Sequence, residues 1–296
     1  MLEWGEEHRR DLPWRRTRDP WSILVSEVML QQTQVDRVVP HYGRFLAAFP
    51  TPAACAAAGP AAVVRLWSGL GYNRRALNLH RAAAAMVAEH DGQVPEEETA
   101  LRALPGVGIY TARAVRTFAF GEDVAAVDTN GVRVLARAVA GAPLALREAM
   151  ALGDHLVPAG KSWEFNQAMF DLGATVCTAS RPGCLQCPLR RQCAWLRAGG
   201  TTATADGSDG TDGTDVPDPW RASPTARPQS TFAGSDRQGR GRLLHALRQG
   251  AVRRADLAAA CGWPEDTERA ERITAAVVAE GFAAWSGGKD PILRLR

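Results

Sequence analysis

LPGVGIYTARAV, residues 104–115, is the stretch on which the reading of the fold turns. Pro105 sets one turn position, and Gly106 and Gly108 permit positive φ and keep side chains out of a ligand's path. The segment from Ile109 onward has helical character. The free N–H groups of its first turn then point outward, as they do where helix N-termini receive phosphates. A plain turn between two helices, with glycine for geometry, is the simpler alternative for these residues alone. Neither reading explains Tyr110, which stands just inside the helix.

Around this turn the chain is rich in helical periodicity and poor in strand alternation. Ile23, Leu24, Val28, Met29 and Val35 mark an apolar helix face, with Glu27, Gln31 and Gln34 on another. Segments 61–66 and 76–88 repeat the theme between short Pro- and Gly-bearing turns. Residues 198–235, by contrast, are Gly, Thr, Asp and Ser with almost nothing to bury, which predicts a disordered linker. Beyond it, GRGRLLHALRQG, RRADLAAACG and ERAERITAAVVAEGF read as three helices, and AAWSGGKDPILRLR as a hairpin turning at Ser-Gly-Gly. Residues 236–296 are therefore expected to form a small winged-helix-like domain.

The 296 residues, 46% hydrophobic and 23% charged, fit about two soluble globular domains. No run approaches the roughly 18 unbroken apolar residues of a membrane span, and MLEWGEEHRRDLPW lacks a signal peptide's apolar core. A cytoplasmic protein without membrane contact is expected. The net charge of +3 conceals an acidic linker, net −3, between two folded parts of net +3 each. Only Lys161 and Lys289 among the 35 basic residues are lysines, so an amine-dependent reaction has two side chains to draw on.

Four of the six cysteines fall within CTASRPGCLQCPLRRQC: Cys177, Cys184, Cys187 and Cys193, at spacings of six, two and five residues. Without an export signal such a group reads as a metal site before a disulfide framework. Zinc normally takes two close pairs separated by a longer stretch, and only one close pair exists here. A [4Fe-4S] cluster held by four thiolates accommodates the spacing, with zinc as the alternative. Arg181, Arg190 and Arg191 stud the same loop.

A glycine hairpin followed by this cysteine spacing resembles the endonuclease III, or helix-hairpin-helix, superfamily of DNA glycosylases. WSILVSEVMLQQTQV (21–35) and LWSGLGYNRRALNLH (66–80) are similar to its adenine glycosylase branch, MutY. The resemblance runs from Leu12 to Trp195. It implies a mainly α, two-lobed fold with a [4Fe-4S] loop. The glycosylase domain would cover 1–197, with a six-helix barrel lobe near 18–121 and an iron–sulfur lobe from 1–17 and 122–197. The implied partner is double-stranded DNA carrying an adenine mispair, met by a monomer associated with the nucleoid. Gly106, Val107 and Gly108 would hold a DNA phosphate, and Arg190 and Arg191 would contact the duplex.

Breaking an N-glycosidic bond builds positive charge on the sugar, which a pair of carboxyl groups can manage. A lone glutamate on a helix is ordinarily a solvated residue, and Asp128 in VDTN could be a helix cap. The resemblance assigns Glu27 to protonate the purine and handle the nucleophilic water. It assigns Asp128 to stabilise the sugar cation, with Asn130 orienting the pair. Glu27 would need a pKa raised by an apolar pocket. The family has an apolar residue where Gly131 stands, which predicts a small helix perturbation. Gln32 and Tyr72 would fill the gap left by the extruded base, and Thr33 and Leu70 would flank its partner. Asn73 replaces a second tyrosine. Trp14, Arg15, Leu30, Val35 and Gln167 match the adenine pocket.

Endonuclease III itself resembles this chain but has lysine at the position of Tyr110, where the amine forms a Schiff base with the sugar and cuts the strand. Tyrosine cannot. The resemblance thus implies a monofunctional adenine glycosylase that leaves an abasic site opposite 8-oxoguanine or guanine. A thymine glycosylase acting on T·G mismatches and a non-catalytic iron–sulfur DNA-binding protein are the alternatives. Adenine glycosylases usually end in a β-rich lesion-recognition domain, for which residues 236–296 are too short.

Overall fold

The computed structural model of the chain describes residues 1–200, 216–224, 231–288 and 290–296. The described residues are mainly helical: α1 (Leu2–His8), α2 (Pro20–Leu30), α3 (Val35–Ala48), α4 (Pro52–Ala57), α5 (Gly59–Leu66), α6 (Arg74–Glu89), α7 (Glu98–Ala103), α8 (Ile109–Val115), α9 (Thr129–Leu135), α10 (Leu146–Leu156), α11 (Ser162–Asp171), α12 (Ala194–Arg197), α13 (Asp236–Gln249), α14 (Leu257–Cys261) and α15 (Thr267–Ala279). Three short strands, β1 (Val252–Arg253), β2 (Ala283–Trp285) and β3 (Ile292–Leu295), form an antiparallel sheet in the order β1-β3-β2. Two compact units result. One holds Met1–Ile23, Glu96–Glu98 and Gly108–Pro228; the other holds Leu24–Pro95, Thr99–Val107 and Gln229–Arg296.

In the first unit, Val127, Val132, Leu135, Phe165, Met169 and Leu172 form the centre of the core. α1 packs against α11 at Gly5, where an added Cβ would meet the Ala168 Cβ at 2.5 Å. Three helices continue into π turns: α8 at Arg116–Phe120, α9 at Ala136–Ala140 and α11 at Leu172–Val176. The apolar run 124–127 joins no sheet. Buried side chains pin it instead: Asn166 Nδ2 donates to the Val124 carbonyl (2.9 Å), and Asn166 Oδ1 accepts from Ala126 N (2.7 Å). Arg113 Nε donates to the Ala125 carbonyl (2.8 Å). These bonds give backbone groups of the run partners that a ladder would otherwise supply.

The stretch 198–235, expected to be a disordered linker, contains a packed strap at 216–224. Trp220 is buried in the core of the first unit, and the Arg133 guanidinium lies over its ring at 5.3 Å. Asp218 binds the buried Arg137 through two hydrogen bonds (2.6 and 2.9 Å). Trp195 Nε1 donates to the Val216 carbonyl (3.0 Å), and Ser223 Oγ to that of Leu144 (3.0 Å). The polar composition hid one large aromatic and one carboxylate, each with a partner far back in sequence. The rest of that stretch, 201–215 and 225–230, lies outside the described residues.

In the second unit, α4 and α5 both pack on α6, and Phe45, Val63, Trp67, Leu79 and Met86 are buried. α13, α14 and α15 pack on one another, with β2 and β3 forming the expected hairpin and β1 adding an unforeseen third strand. The carboxy-terminal elements cluster with this unit through ionic and polar links. Arg248 donates from Nε to the Val64 carbonyl (2.9 Å) and from a terminal nitrogen to Asn73 Oδ1. Glu280 is clamped between Arg240 (2.6 Å) and Arg74 (2.7 Å), and Arg81 donates to its backbone carbonyl (2.7 Å). Asn73, which departs from the family pattern, is thereby a docking residue.

Candidate active site

Asp128 caps α9. Its Oδ1 accepts from the Gly131 N–H (2.7 Å), and its Oδ2 accepts from Asn130 Nδ2 (3.0 Å). Asn130 Oδ1 in turn accepts from Arg133 (2.7 Å), whose guanidinium also donates to the Gly173 (2.7 Å) and Cys177 (2.7 Å) carbonyls. A rigid chain of side chains thus runs from the cysteine loop to one carboxylate. Burial raises the Asp128 pKa above the usual carboxylate value, although Gly131, Asn130 and Arg133 all favour the anion. Gly131 does not perturb α9, which runs through it unbroken. A Cβ there would lie 3.1 Å from Val127 Cγ1 and 3.6 Å from Asp128 Oδ1.

Tyr110 is half-buried near the start of α8, its ring tilted 6.3 Å from that of Phe170 in α11. Lys161 is exposed and paired with Glu164 (3.7 Å); Lys289 lies outside the described residues. Trp14 and Gln167, two of the expected pocket residues, are buried. Arg15, the third in this unit, has its guanidinium bound on both sides by Asp171 (2.7 and 2.9 Å). The carboxyl of Asp171 is held below its usual pKa: burial pushes it up, and Arg15 and Arg10 outweigh that.

Cys177, Cys184, Cys187 and Cys193 line one small cavity of about 20 Å³, walled by Val134, Arg137 and Trp195. Burial pushes the Cys184 thiol up to about 11 and raises those of Cys187 and Cys193. Arg137 donates to Cys177 Sγ (3.5 Å), while Cys193 Sγ donates to the Arg137 carbonyl (3.3 Å). Among the described residues no group of three or more His, Cys, Asp or Glu side chains is disposed to hold a single metal ion. The two cysteines outside this loop, Cys55 and Cys261, are core residues whose thiols burial raises to about 12 and about 11.

In the second unit Glu27 is only 5% exposed, within a stretch of α2 (23–29) buried at every residue. The amphipathic pattern expected for this segment is absent, because α2 ends at Leu30 and Val35 starts α3. Leu30 and Val35 are both half-buried. Arg75, which the sequence reading passed over, organises the surroundings. It donates to the Val28 (2.9 Å) and Met29 (2.6 Å) carbonyls at the end of α2 and to Thr33 Oγ1 (2.9 Å). It also donates to the Leu70 (3.3 Å) and Gly71 (3.2 Å) carbonyls, and lies over the Tyr72 ring at 5.5 Å. Its only sequence signal was an arginine between an apolar loop and an apolar helix face.

Arg75 therefore ties together the two loops that carry Gln32, Thr33, Leu70 and Tyr72. Gln32 (φ 56°) and Tyr72 (φ 45°) are two of three non-glycine residues with left-handed backbones among those described. Such strain persists where surrounding structure imposes it, and it gathers at functional sites. Leu70 is buried and Tyr72 is 43% exposed. In the glycine hairpin the Val107 N–H closes a turn on the Leu104 carbonyl (3.1 Å). Gly106 (φ 82°) could not carry a side chain, because a Cβ would meet Asn78 Cβ at 2.8 Å. Gly108 is extended and caps α8. Arg190 and Arg191 are exposed.

Comparison with known proteins places the chain in the class of helix-hairpin-helix DNA glycosylases. Residues 25–150 match the family described as HhH-GPD superfamily base excision DNA repair protein. The chain is 42% identical to the adenine DNA glycosylase of Mycolicibacterium smegmatis over 95% of its own length and 90% of that protein's. Identity to the Mycobacterium tuberculosis adenine DNA glycosylase is 43%, over 95% of this chain and 88% of the relative. Among solved structures, a thermostable thymine-DNA glycosylase superposes with a TM-score of 0.61 at 31% identity, covering 66% of this chain and 93% of that one. The chain belongs to the HhH-GPD superfamily, within its adenine DNA glycosylase family.

Proposed function

We infer that the protein is a monofunctional adenine DNA glycosylase of base excision repair. It hydrolyses the N-glycosidic bond of adenine mispaired with 8-oxoguanine or guanine and leaves an abasic site. The observation that carries this reading is the Asp128–Asn130–Arg133 chain, which fixes a carboxylate in a partly dehydrated place suited to an oxocarbenium-like centre. Glu27, in its buried helix, delivers the proton that lets the purine leave and then activates water. Tyr110 offers no amine for a Schiff base, so the strand stays uncut.

Gln32 and Tyr72, held in strained backbone by the Arg75 hub, enter the duplex as adenine leaves the stack. Gly106, Val107 and Gly108 hold a phosphate of the same strand, with Arg190 and Arg191 adding charge. Trp14, Arg15 and Gln167 of the first unit, with Arg15 anchored by Asp171, and Leu30 and Val35 of the second are the residues that match the family's adenine-receiving positions. The four thiols around one cavity, beside a buried guanidinium and the chain of bonds from Cys177, fit a [4Fe-4S] cluster better than a single ion. Bound there, the cluster would cross-link the loop that backs Arg133. The carboxy-terminal helices and three-stranded sheet act as a winged-helix-like module.

Single-turnover excision on duplexes carrying A·8-oxoG, A·G, A·C and T·G tests the reading. Release of adenine from the first two is expected. Preferential release of thymine would make the chain a mismatch thymine glycosylase, and no release at all would leave only a DNA-binding protein.

A further inference from the structure

A groove of about 820 Å³ opens in the second unit, and its two walls come from distant parts of the sequence. One wall carries Gln32, Leu70 and Tyr72. The other carries Phe232, Arg237 and Arg240, from the start of the carboxy-terminal region. Phe232 is 57% exposed, with the Arg237 guanidinium 5.9 Å from its ring centre. Arg37, Arg74 and Arg75 complete the charged lining, and among the described residues no carboxylate lines the groove. Glu280 neutralises part of this charge by holding Arg74 and Arg240 from outside the groove.

An open aromatic beside guanidinium groups, with no acidic residue on either wall among the described residues, is the surface that takes an unstacked nucleic-acid strand. Bases stack on the ring while arginine follows the phosphates. Resting on the glycosylase reading above, we propose that the carboxy-terminal domain is a working part of the DNA site. Phe232 stacks on a base of the strand that carries adenine's partner, and Arg237 binds that strand's phosphate. The occupant is that strand, because the opposite wall carries Leu70, which the family resemblance assigns to the flank of the partner base, and the lining charge is all basic among the described residues. The ion pairs of Glu280 and the hydrogen bonds of Arg248 to Val64 and Asn73 hold the second wall in place. The domain so replaces, with a different fold, part of what a β-rich lesion-recognition domain would do.

The test uses the full chain and a duplex with a 2′-fluoro adenosine that resists hydrolysis, with 2-aminopurine next to 8-oxoguanine on the partner strand. Binding by the wild type should change the 2-aminopurine fluorescence. Phe232→Ala should abolish that change and weaken Kd about tenfold. Arg237→Ala should weaken binding and reduce the slope of log K against log salt by about one. Trp285→Ala, an exposed aromatic on β2 away from the groove lining, should leave all three readouts at wild-type values. Wild-type affinity, fluorescence and salt slope in both groove variants would overturn the proposal, even with adenine excision intact. Effects on binding without excision by the wild type would support the groove and overturn the glycosylase reading instead.

Discussion

Asn130 Nδ2 stands 3.0 Å from Asp128 Oδ2 and, through its own Oδ1, 2.7 Å from Arg133. One amide thereby both donates to the carboxylate and is itself fixed in orientation. Burial raises the Asp128 pKa, so excision, which in the proposed mechanism needs the anion, should fall as pH drops through an apparent pKa above the ordinary carboxylate range. Asn130→Ala removes a donor that favours the anion. Its acid limb should move further up and its rate at neutral pH drop about 100-fold. A pH–rate profile under single-turnover conditions checks this; an unmoved limb would deny Asn130 its role.

Asp128→Asn separates chemistry from folding. Asparagine can still accept the Gly131 N–H and cap α9. The raised pKa means that the folded state loses stability as pH rises from the ordinary aspartate value through the raised one. Removing the charge should therefore leave Tm at pH 7 unchanged or slightly higher, while excision is lost and duplex binding kept. A variant that melts early, or that still excises at a comparable rate, contradicts the assignment.

Tyr110→Lys introduces an amine at the position where a lyase carries one. Borohydride should trap covalent DNA adducts of this variant far more than of the wild type. Strong trapping by the wild type would defeat the monofunctional reading, because it would require an amine other than that of residue 110.

The strap makes a prediction about the cysteine loop. Asp218 neutralises Arg137, whose side chain is 2% exposed and which touches Cys177 Sγ. Asp218→Ala removes the counter-ion of that buried guanidinium and leaves it the Thr178 and Ala179 carbonyls and Cys177 Sγ, at a cost of about 1–3 kcal/mol. On the proposed [4Fe-4S] assignment, the variant should lose iron and visible absorbance on gel filtration under conditions where the wild type keeps both. Full retention of iron would show that the strap does not support the loop.

Docking of the carboxy-terminal elements should depend on pH. Burial alone would raise Glu280, but Arg74 and Arg240 lower it to about 2. Its contribution is therefore complete above the ordinary glutamate pKa and is lost as pH falls from there through about 2. Glu280→Gln should mimic the acid state at neutral pH, lowering stability by about 2 kcal/mol and admitting protease near residue 231. Limited proteolysis and urea midpoints read both effects; an unchanged cleavage pattern would count against the clamp.

Much of the site was legible locally. The spacing of Cys177, Cys184, Cys187 and Cys193, the glycines of LPGVG and the cap at Asp128 are short-range features, fixed by backbone chemistry within a few residues. Tyr110 is informative for the same reason, since no neighbour can lend it an amine. The helices of residues 236–296 and their hairpin followed from periodicity and turn residues.

Arg75, Asn73 and the 216–224 strap were not legible, because each takes its meaning from partners far away in the chain. Arg75 is an ordinary basic residue until the carbonyls of Val28 and Met29 at the end of α2 and of Leu70 and Gly71 in a distant loop converge on it. Trp220 and Asp218 look like linker until a core and a buried guanidinium meet them. The helix around Glu27 read as amphipathic because a pattern shows which residues are polar, not which neighbours will cover them. Sequence alone determined the chemistry available to this protein: two carboxylates, four thiols, and no amine at residue 110. Tertiary structure decided which of those groups are dehydrated, which are held rigid, and that the last sixty residues share a groove with Gln32 and Tyr72, because burial and long-range pairing exist only once the chain has folded.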